Sequence, residues 1–308
     1  MKQVAAVVVT YNRKILLKEC IEALLKQTKK DLLDILIIDN HSTDGTREYI
    51  DDYIAKGEIK YINTGANLGG AGGFNFGMKK AVELMYEYIW VMDDDCLPQY
   101  NALEKLLIAD KKLNGNYGWL SSVVLWIDGN LCKMNKQKKK ISIFTKKKYD
   151  NLQEVTQSTF VSLFIKADKI LKYGLPIKEF FIWGDDIEFT RRIAVRNKIS
   201  SYLVLDSVVV HAMKANNGSD IATDTVERIE RYKYAFRNEG YFYRKEGLMG
   251  IIYYFLKCFW NIYKIIFRGI DKKLLRCKII FNSIASGLKF NPKIEYVSSK
   301  KSRNICNY

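Results

Sequence analysis

The segment that most constrains this chain is residues 4–9, Val-Ala-Ala-Val-Val-Val, six apolar residues with no polar interruption. A strand apolar at consecutive positions has to be covered on both faces, which is the habit of parallel sheets flanked by helices. The sequence that follows keeps to that plan. Residues 13–27 carry Ile15, Leu16, Cys20, Leu24 and Leu25 at helical spacing, and residues 35–38 form a second short apolar run. Residues 43–54 read as a helix capped by Ser42 or Thr43. A strand at 59–62, a helix at 72–86 and a strand at 88–92 complete a β-α-β-α-β-α-β order. Right-handed crossovers then give a mainly parallel α/β sheet, with ligands expected at the carboxyl ends of its strands. Thr10-Tyr11-Asn12, Asp39-Asn40, Asn67 and Asp93-Asp94-Asp95 all fall there.

After residues 119–127 the pattern is mixed. Residues 131–150 read as a lysine-rich hairpin or loop, and 160–165 and 202–210 as strands around a helix near 186–197. From Thr223 onward the chain reads as helical. The expected division is therefore a catalytic domain over 1–222 and a helical region over 223–308.

Charge separates the broad function classes. The net charge is +16, and 48% of residues are hydrophobic. That apolar content excludes a disordered basic tail, but the charge invites a nucleic-acid partner. Its distribution argues otherwise. Residues 247–308 hold 12 basic and 2 acidic residues, and residues 133–148 hold eight lysines and no acid. Everything else nets −2. A nucleic-acid-binding module would interleave basic and aromatic residues over its folded body, and this body is slightly acidic. The six cysteines (Cys20, Cys96, Cys132, Cys258, Cys277 and Cys306) are scattered without a Cys-x-x-Cys pair, which points to a reducing compartment and no zinc finger. The first residues run straight into a strand without the features of a secretion signal, so the catalytic side is expected in the cytoplasm.

The chemistry concentrates in four places. Asp93-Asp94-Asp95 directly follows an apolar strand. Adjacent carboxylates repel unless a cation or donors neutralise them. On an extended segment the first and third face one side, where both can reach a hard divalent cation. Phe180-Phe181-Ile182-Trp183-Gly184-Asp185-Asp186-Ile187-Glu188 sets a second acidic cluster behind aromatic residues. Those acids either favour a helix N-terminus or supply a general base. His211 ends a strand and becomes a candidate third metal ligand beside such a triplet, whereas His41 reads as an ordinary loop residue. Residues 67–77 hold five glycines before a helix, a segment whose backbone could approach a phosphate or sugar, though it is neither Gly-x-Gly-x-x-Gly nor a P-loop.

As an ordered set these residues resemble the family 2 glycosyltransferases of the GT-A fold. The matching pieces are Val-Val-Thr-Tyr-Asn-Arg at 8–13, Ile-Ile-Asp-Asn-His-Ser-Thr-Asp-Gly-Thr at 37–46 and Asn-Leu-Gly-Gly-Ala-Gly-Gly-Phe at 67–74, followed by the aspartate triplet, Trp183-Gly-Asp-Asp186 and His211. With Arg231-Tyr-Lys-Tyr-Ala-Phe-Arg-Asn238, they are most similar to the galactofuranosyl- and rhamnosyltransferase branch. The resemblance implies a Rossmann-like mixed sheet flanked by helices, with a C-terminal helical extension. It implies that Thr10, Asn12, Arg13 and Asp39 line the base and ribose pocket, with Asn67, Gly70 and the neighbouring glycines near the ribose or sugar. Asp93, Asp94 and Asp95 would face the nucleotide diphosphate, with Asp93, Asp95 and His211 holding Mg2+ or Mn2+. Asp186 would be the general base, Asp185 its competitor, and Trp183 a wall for the acceptor. The implied reaction is inverting transfer from a UDP- or dTDP-sugar, UDP-galactofuranose or dTDP-rhamnose favoured, to a hydroxyl of a lipid-linked or cell-surface glycan.

Two alternatives stand beside this: a metal-dependent nucleotidyl- or phosphoryl-transfer enzyme, and the nucleic-acid module already weighed. Aspartyl-phosphate chemistry is disfavoured because Leu97 stands where its motif needs Thr or Val. In Leu248–Arg268, an aromatic segment is interrupted by Lys257, Asn261, Lys264 and Arg268, in steps that fall on one helical face. The segment is too polar to span a bilayer. It reads either as a helix lying in the interface of an anionic membrane on the cytoplasmic side, or as one packed on the catalytic domain with its polar side in water.

Overall fold

The computed structural model describes residues 3–140 and 149–298. β1 (Val4–Thr10) is buried along its whole length. Its alternate side chains enter two different cores: Val4, Ala6 and Val8 on one face, Ala5, Val7 and Val9 on the other. An unbroken apolar strand is accommodated because each face has its own cover. α1 (Lys14–Leu25), β2 (Leu33–Asp39), α2 (Thr46–Tyr49), α3 (Asp51–Ala55), β3 (Lys60–Asn63), α4 (Gly69–Glu83) and β4 (Tyr88–Asp93) follow. Strands β3, β2, β1 and β4 lie side by side and all parallel, as the alternating pattern predicts. The helix expected over 43–54 starts later and is broken at Ile50. Ser42 and Thr43 do not cap it. Ser42 Oγ accepts the Asn12 N–H at 2.9 Å, and the Thr43 N–H donates to Asn12 Oδ1 at 2.7 Å, so both tie down the exit of β1.

Beyond β4 come β5 (Cys96–Pro98), α5 (Ala102–Lys112), β6 (Leu120–Trp126), β7 (Lys138–Lys139), β8 (Leu152–Gln157), β9 (Leu163–Lys166), α6 (Ala167–Tyr173), α7 (Asp185–Arg191) and β10 (Ser201–His211). Here the ten-stranded sheet turns mixed. β9 inserts antiparallel between β4 and β6, β10 runs parallel to β6, and β5 and β8 pair antiparallel with β10. β7 pairs antiparallel with β8, so the lysine-rich segment starts as one arm of a hairpin, while residues 141–148 lie outside the described residues. The five described cysteines are free, and Cys306 lies outside.

The helical region comprises α8 (Val226–Ile229), α9 (Tyr232–Arg244), α10 (Leu248–Arg268) and α11 (Lys273–Lys289). It shares a third core with the α/β body, in which Ala71, Ile177 and Phe180 pack with Tyr232, Phe236 and Ile280. The chain then crosses back. The Leu175 N–H donates to the Glu295 carbonyl at 2.8 Å, and Lys79 and Lys178 hold the Glu295 carboxylate at 2.7 and 3.1 Å. Apart from the exposed Arg268 at its end, the polar stripe of α10 is not turned to water. Lys257 reaches Glu239 at 2.6 Å, Lys264 reaches Asp220 at 2.8 Å, and Asn261 is buried. The helix packs on the body, but by its polar side, because acids on α9 and before α8 wait there for its lysines.

The helix expected from residue 72 starts earlier, inside the glycine-rich segment. Its glycines are the opening turns of α4, and two of them face the sheet. A Cβ at Gly77 would stand 2.5 Å from Val7 Cγ1 and 2.8 Å from Ile38 Cγ1, and one at Gly73 2.5 Å from Val9 Cγ1. Only hydrogen fits there, so these glycines set how closely α4 lies on β1. Alanine gains about 1 kcal/mol over glycine in a helix interior, yet overpacking of this kind costs about 1–3 kcal/mol. Gly77→Ala is therefore expected to lower the urea midpoint with an unchanged slope, while Gly70→Ala, whose Cβ meets nothing within 4 Å, is not. Equal midpoints for the two variants would refute the packing role.

Candidate active site

The site is assembled where strands end. Asp93 ends β4 and Asp94-Asp95 turn the chain into β5, so the triplet is not extended throughout as expected, yet it still brings Asp93 and Asp95 together. β10 pairs with β5 so that His211 lies opposite Cys96, and the Ala212 N–H donates to the Asp95 carbonyl at 2.8 Å. This register carries His211 Nε2 to 2.9 Å from Asp95 Oδ1. One ligand atom each from Asp93, Asp95 and His211 lie within 4.8 Å of one another. Two carboxylates and an imidazole are a donor set that fits Mn2+, and Mg2+ through its oxygens.

Asn135 orients the imidazole. Its Nδ2 donates to Thr159 Oγ1 at 2.9 Å, which turns its Oδ1 toward His211 Nδ1 at 2.8 Å. Nδ1 thereby carries a proton, and Nε2 faces the carboxylates, donating to Asp95 while the ring is charged and free to meet a cation only once that proton is lost. The sequence reading missed Asn135, because it stands among lysines in a stretch that looked like solvated loop.

Asp94 points the other way. Thr10 Oγ1 donates to it at 2.8 Å, and the Arg13 guanidinium reaches Asp94 at 3.3 Å and Asp95 at 2.8 Å. Arg13, expected against the nucleotide, is thus committed to the triplet. Burial and the Asp95 charge push Asp93 up to about 7. Burial lifts Asp94 to about 6 against the pull of Arg13. Burial would also raise Asp95, but its hydrogen bond to His211 and the charges of His211 and Arg13 hold it below the usual carboxylate range. Burial disfavours charge on His211, yet its bonds to Asp95 and Cys132 outweigh that and keep it protonated up to about 10.

Asn12 and Asp39 close the neighbouring end of the sheet. Asn12 sits in the left-handed region at φ 54 and grips the loop after β2, as described. Asp39 is buried and accepts the Ser42 N–H at 2.8 Å and the Tyr61 hydroxyl at 2.5 Å. Burial and that bond push Tyr61 up to about 12. Asn67 Oδ1 accepts the Gly69 N–H at 2.9 Å and starts α4, and Gly70 is open beside it.

The second acidic cluster opens α7. Asp185 is buried and its carboxyl is raised well above the usual range by burial, then by the charges of Asp186 and Asp93. Asp186 is lifted to about 6 by burial, against the Ile187 N–H at 2.7 Å. Trp183 rests edge-on against Tyr232 at 5.0 Å between ring centres.

Residues 5–166 match the family described as Glycosyl transferase family 2. The chain belongs to that family. Galactofuranosyltransferase GlfT1 of Mycolicibacterium smegmatis is 24% identical over 81% of this chain and 85% of that protein. GalNAc(5)-diNAcBac-PP-undecaprenol beta-1,3-glucosyltransferase of Campylobacter jejuni is 30% identical over 54% of this chain and 53% of that one. Among solved structures, GalNAc-T7 with UDP, GalNAc and Mn2+ superposes with a TM-score of 0.59 at 16% identity, over 77% of this chain and 47% of that one, and shows the same GT-A fold. Membership sets aside the phosphoryl-transfer and nucleic-acid alternatives in favour of a glycosyltransferase.

The family match ends at Lys166, before Asp185, Asp186 and His211. In that later part of the glycosyltransferase the structure reveals a device for which the sequence reading had no role. Phe181, Trp183 and Gly184 all have positive φ, at 64, 65 and 87. Two of them are bulky residues, for which this conformation is strained. Asn238, with no exposed surface, donates its amide to the carbonyls of Phe180, Ile182 and Trp183 at 3.1, 3.2 and 2.7 Å. Arg237, which can only donate, bonds Asn238 Oδ1 at 2.8 and 3.0 Å and so fixes which way the amide faces. The strained loop also carries the glycine segment. Gly69, at φ +71, has room for no Cβ, since one would lie 2.2 Å from the Phe181 carbonyl, to which the Ala71 N–H donates at 3.1 Å. Asn238→Ala should destabilise the fold by about 2–4 kcal/mol, because buried carbonyls lose their donor. Asn238→Asp should do no better, as a carboxylate cannot donate. Equal chemical stability of wild type and Asn238→Asp would discard the clamp.

Proposed function

We propose that this glycosyltransferase moves a single sugar, galactofuranose or rhamnose, from a UDP or dTDP donor to a hydroxyl of a lipid-linked or cell-surface glycan, with inversion. Residues 1–222 form the catalytic domain, and residues 223–308 bring it to the inner face of the cell membrane. The observation that carries the reading is the convergence of Asp93, Asp95 and His211 at the strand ends beside a second pair, buried Asp185 and half-buried Asp186. The names of the relatives support its details. Two are a galactofuranosyltransferase and a transferase whose name includes PP-undecaprenol, and a structural relative was solved with UDP and Mn2+.

In this reading Thr10, Asn12, Arg13 and Asp39 line the base and ribose pocket, and Asn67 and Gly70 lie against the ribose or sugar. Asp93, Asp95 and His211 would hold Mg2+ or Mn2+, and Asp94 faces the nucleotide diphosphate while it holds Arg13. A divalent cation supplies compensation for charge that builds on the departing diphosphate. Trp183 walls the acceptor, and Asp186 takes the proton of the acceptor hydroxyl. As that oxygen bonds to the anomeric carbon, the bond from this carbon to the diphosphate oxygen breaks and the electron pair leaves with the diphosphate. One displacement inverts the centre and leaves no covalent intermediate. Asp185, which senses Asp93 directly, is the rival for the base.

Asp186 has to be deprotonated to accept a proton, so kcat/KM should fall as the pH drops through about 6. Asp186→Asn should lower kcat by roughly 10²–10⁴ while thermal stabilisation by the donor survives. Near-normal turnover in Asp186→Asn, with loss in Asp185→Asn, would move the base to Asp185. The cation site makes a separate demand. A metal must displace protons from Asp93, which holds one up to about 7, and from His211, which holds one up to about 10. Thermal stabilisation by Mn2+ should weaken from pH 8 to pH 6 and vanish in Asp95→Ala. Stabilisation that ignores pH and persists in Asp95→Ala would remove the assignment.

A further inference from the structure

α10 leaves an uncovered face. Its inward side is taken up by Gly250, Tyr254, Cys258, Asn261 and Ile265, with Lys257 and Lys264 in ion pairs. Its outward side presents Met249, Leu256, Phe259, Trp260, Tyr263 and Phe267, with Phe259 71% and Phe267 68% exposed. Trp260 stacks on Tyr263 at 5.3 Å, and Tyr263 leans on Phe267 at 4.5 Å. Single exposed apolar residues are ordinary, but a continuous helical face of this kind marks a binding surface.

The charge around it names the occupant. Arg268, Lys272, Lys273, Lys278 and Lys289 are exposed along the end of α10 and on α11. Between residues 247 and 298 the acids are Asp271 and Glu295, and both are held in ion pairs, with Arg276 and with Lys79 and Lys178. The second concentration of charge arrives here too. Lys138 of β7 lies with its Nζ 5.4 Å from the ring centre of Tyr253 on α10, beside exposed Lys136 and Lys139. Two lysine-rich segments separated by more than a hundred residues thus border one apolar face. Like charges brought together in this way are stabilised by an anionic partner. A second copy of the chain would bring a rim of the same sign, so self-association is disfavoured. Among the described residues no helix is long and apolar enough to cross a membrane. Aromatic side chains flanked by lysines are the pattern of a helix lying in the headgroup region of an anionic bilayer.

We infer that the outward face of α10, rimmed by α11 and the lysines of β7, is the seat of this protein on an anionic lipid surface. The inference deepens the lipid-linked acceptor of the proposed function and rests on that reading only for its purpose. It keeps the aromatic face of an interfacial α10 as the contact, while Lys257 and Lys264, expected in water if the helix packed on the domain, turn inward.

Sedimentation of the full chain with vesicles tests it. Binding is expected to vesicles containing phosphatidylglycerol and to weaken with added salt, and to be much lower on phosphatidylcholine alone. Phe259→Asp with Trp260→Asp should weaken binding roughly tenfold or more. Lys138→Gln with Lys139→Gln should weaken it on the anionic vesicles specifically. Met85→Asp, on an exposed residue of the catalytic domain, should not. Circular dichroism and transfer to a water-soluble acceptor analogue should be unchanged in the Phe259/Trp260 variant. No binding by the wild-type chain would overturn the inference. So would a wild-type dimer that the Phe259/Trp260 variant splits, or capture of acidic protein with no lipid binding. Transfer activity, read separately, would then still stand or fall on its own.

Discussion

Everything in this protein turns on the need to hold Asp93, Asp94 and Asp95 side by side at the end of a buried strand. Carboxylates so placed repel strongly in a medium poorer than water. They are tolerated because the fold brings Thr10 and Arg13 from the end of β1 and His211 from the end of β10 to meet them. The parallel pairing of β1 with β4 fixes the first two, and the antiparallel pairing of β5 with β10 fixes the third. The residual unfavourable charge, visible in the elevated carboxyls of Asp93 and Asp94, is what a cation placed there would relieve. Structure and reactivity have the same source.

The second half of the site is governed by strain rather than charge. A loop with two bulky residues, Phe181 and Trp183, in unfavourable backbone conformations persists only when its surroundings over-determine it. Asn238 and Arg237 supply that restraint from α9, and Gly69 presses against the same loop from α4. The glycines that open α4 and the carboxylates that open α7 therefore share one mechanical support. The helical region is part of that support, so the α/β body does not hold this loop alone.

The fold was legible in the sequence wherever local pattern and tertiary role agreed. An apolar run such as residues 4–9 has one good solution, and the register of β1, β2 and β4 follows from it. The aspartate triplet and His211 were legible because their chemistry is costly without a partner. Asn135 and Asn238 were not, since a neutral amide gives no sign in sequence of what it will bond. The glycines of α4 suggested contact with a ligand. Two of them instead face Val7, Val9 and Ile38, a relation that depends on helix-to-sheet register. The stripe on α10 showed correctly that the helix has two faces but not which one looks out. That choice is made by Glu239 and Asp220, acids outside the helix that no periodicity within it can reveal.

The return of the chain after α11 has a consequence for how the molecule comes into being. Val297 completes a core begun by Ala5 and Val7, Glu295 bridges Lys79 and Lys178, and Ile294 closes over Gly174, where a Cβ would stand 2.3 Å from it. Synthesis proceeds from the amino terminus, so the α/β sheet can assemble first while its last seam stays open. The loop that carries Asp185 and Asp186 gains Asn238 only after the sheet is complete, and the seam gains Glu295 and Val297 later still. A nascent chain is therefore a scaffold before it is a catalyst, and α10 emerges before the final stitch.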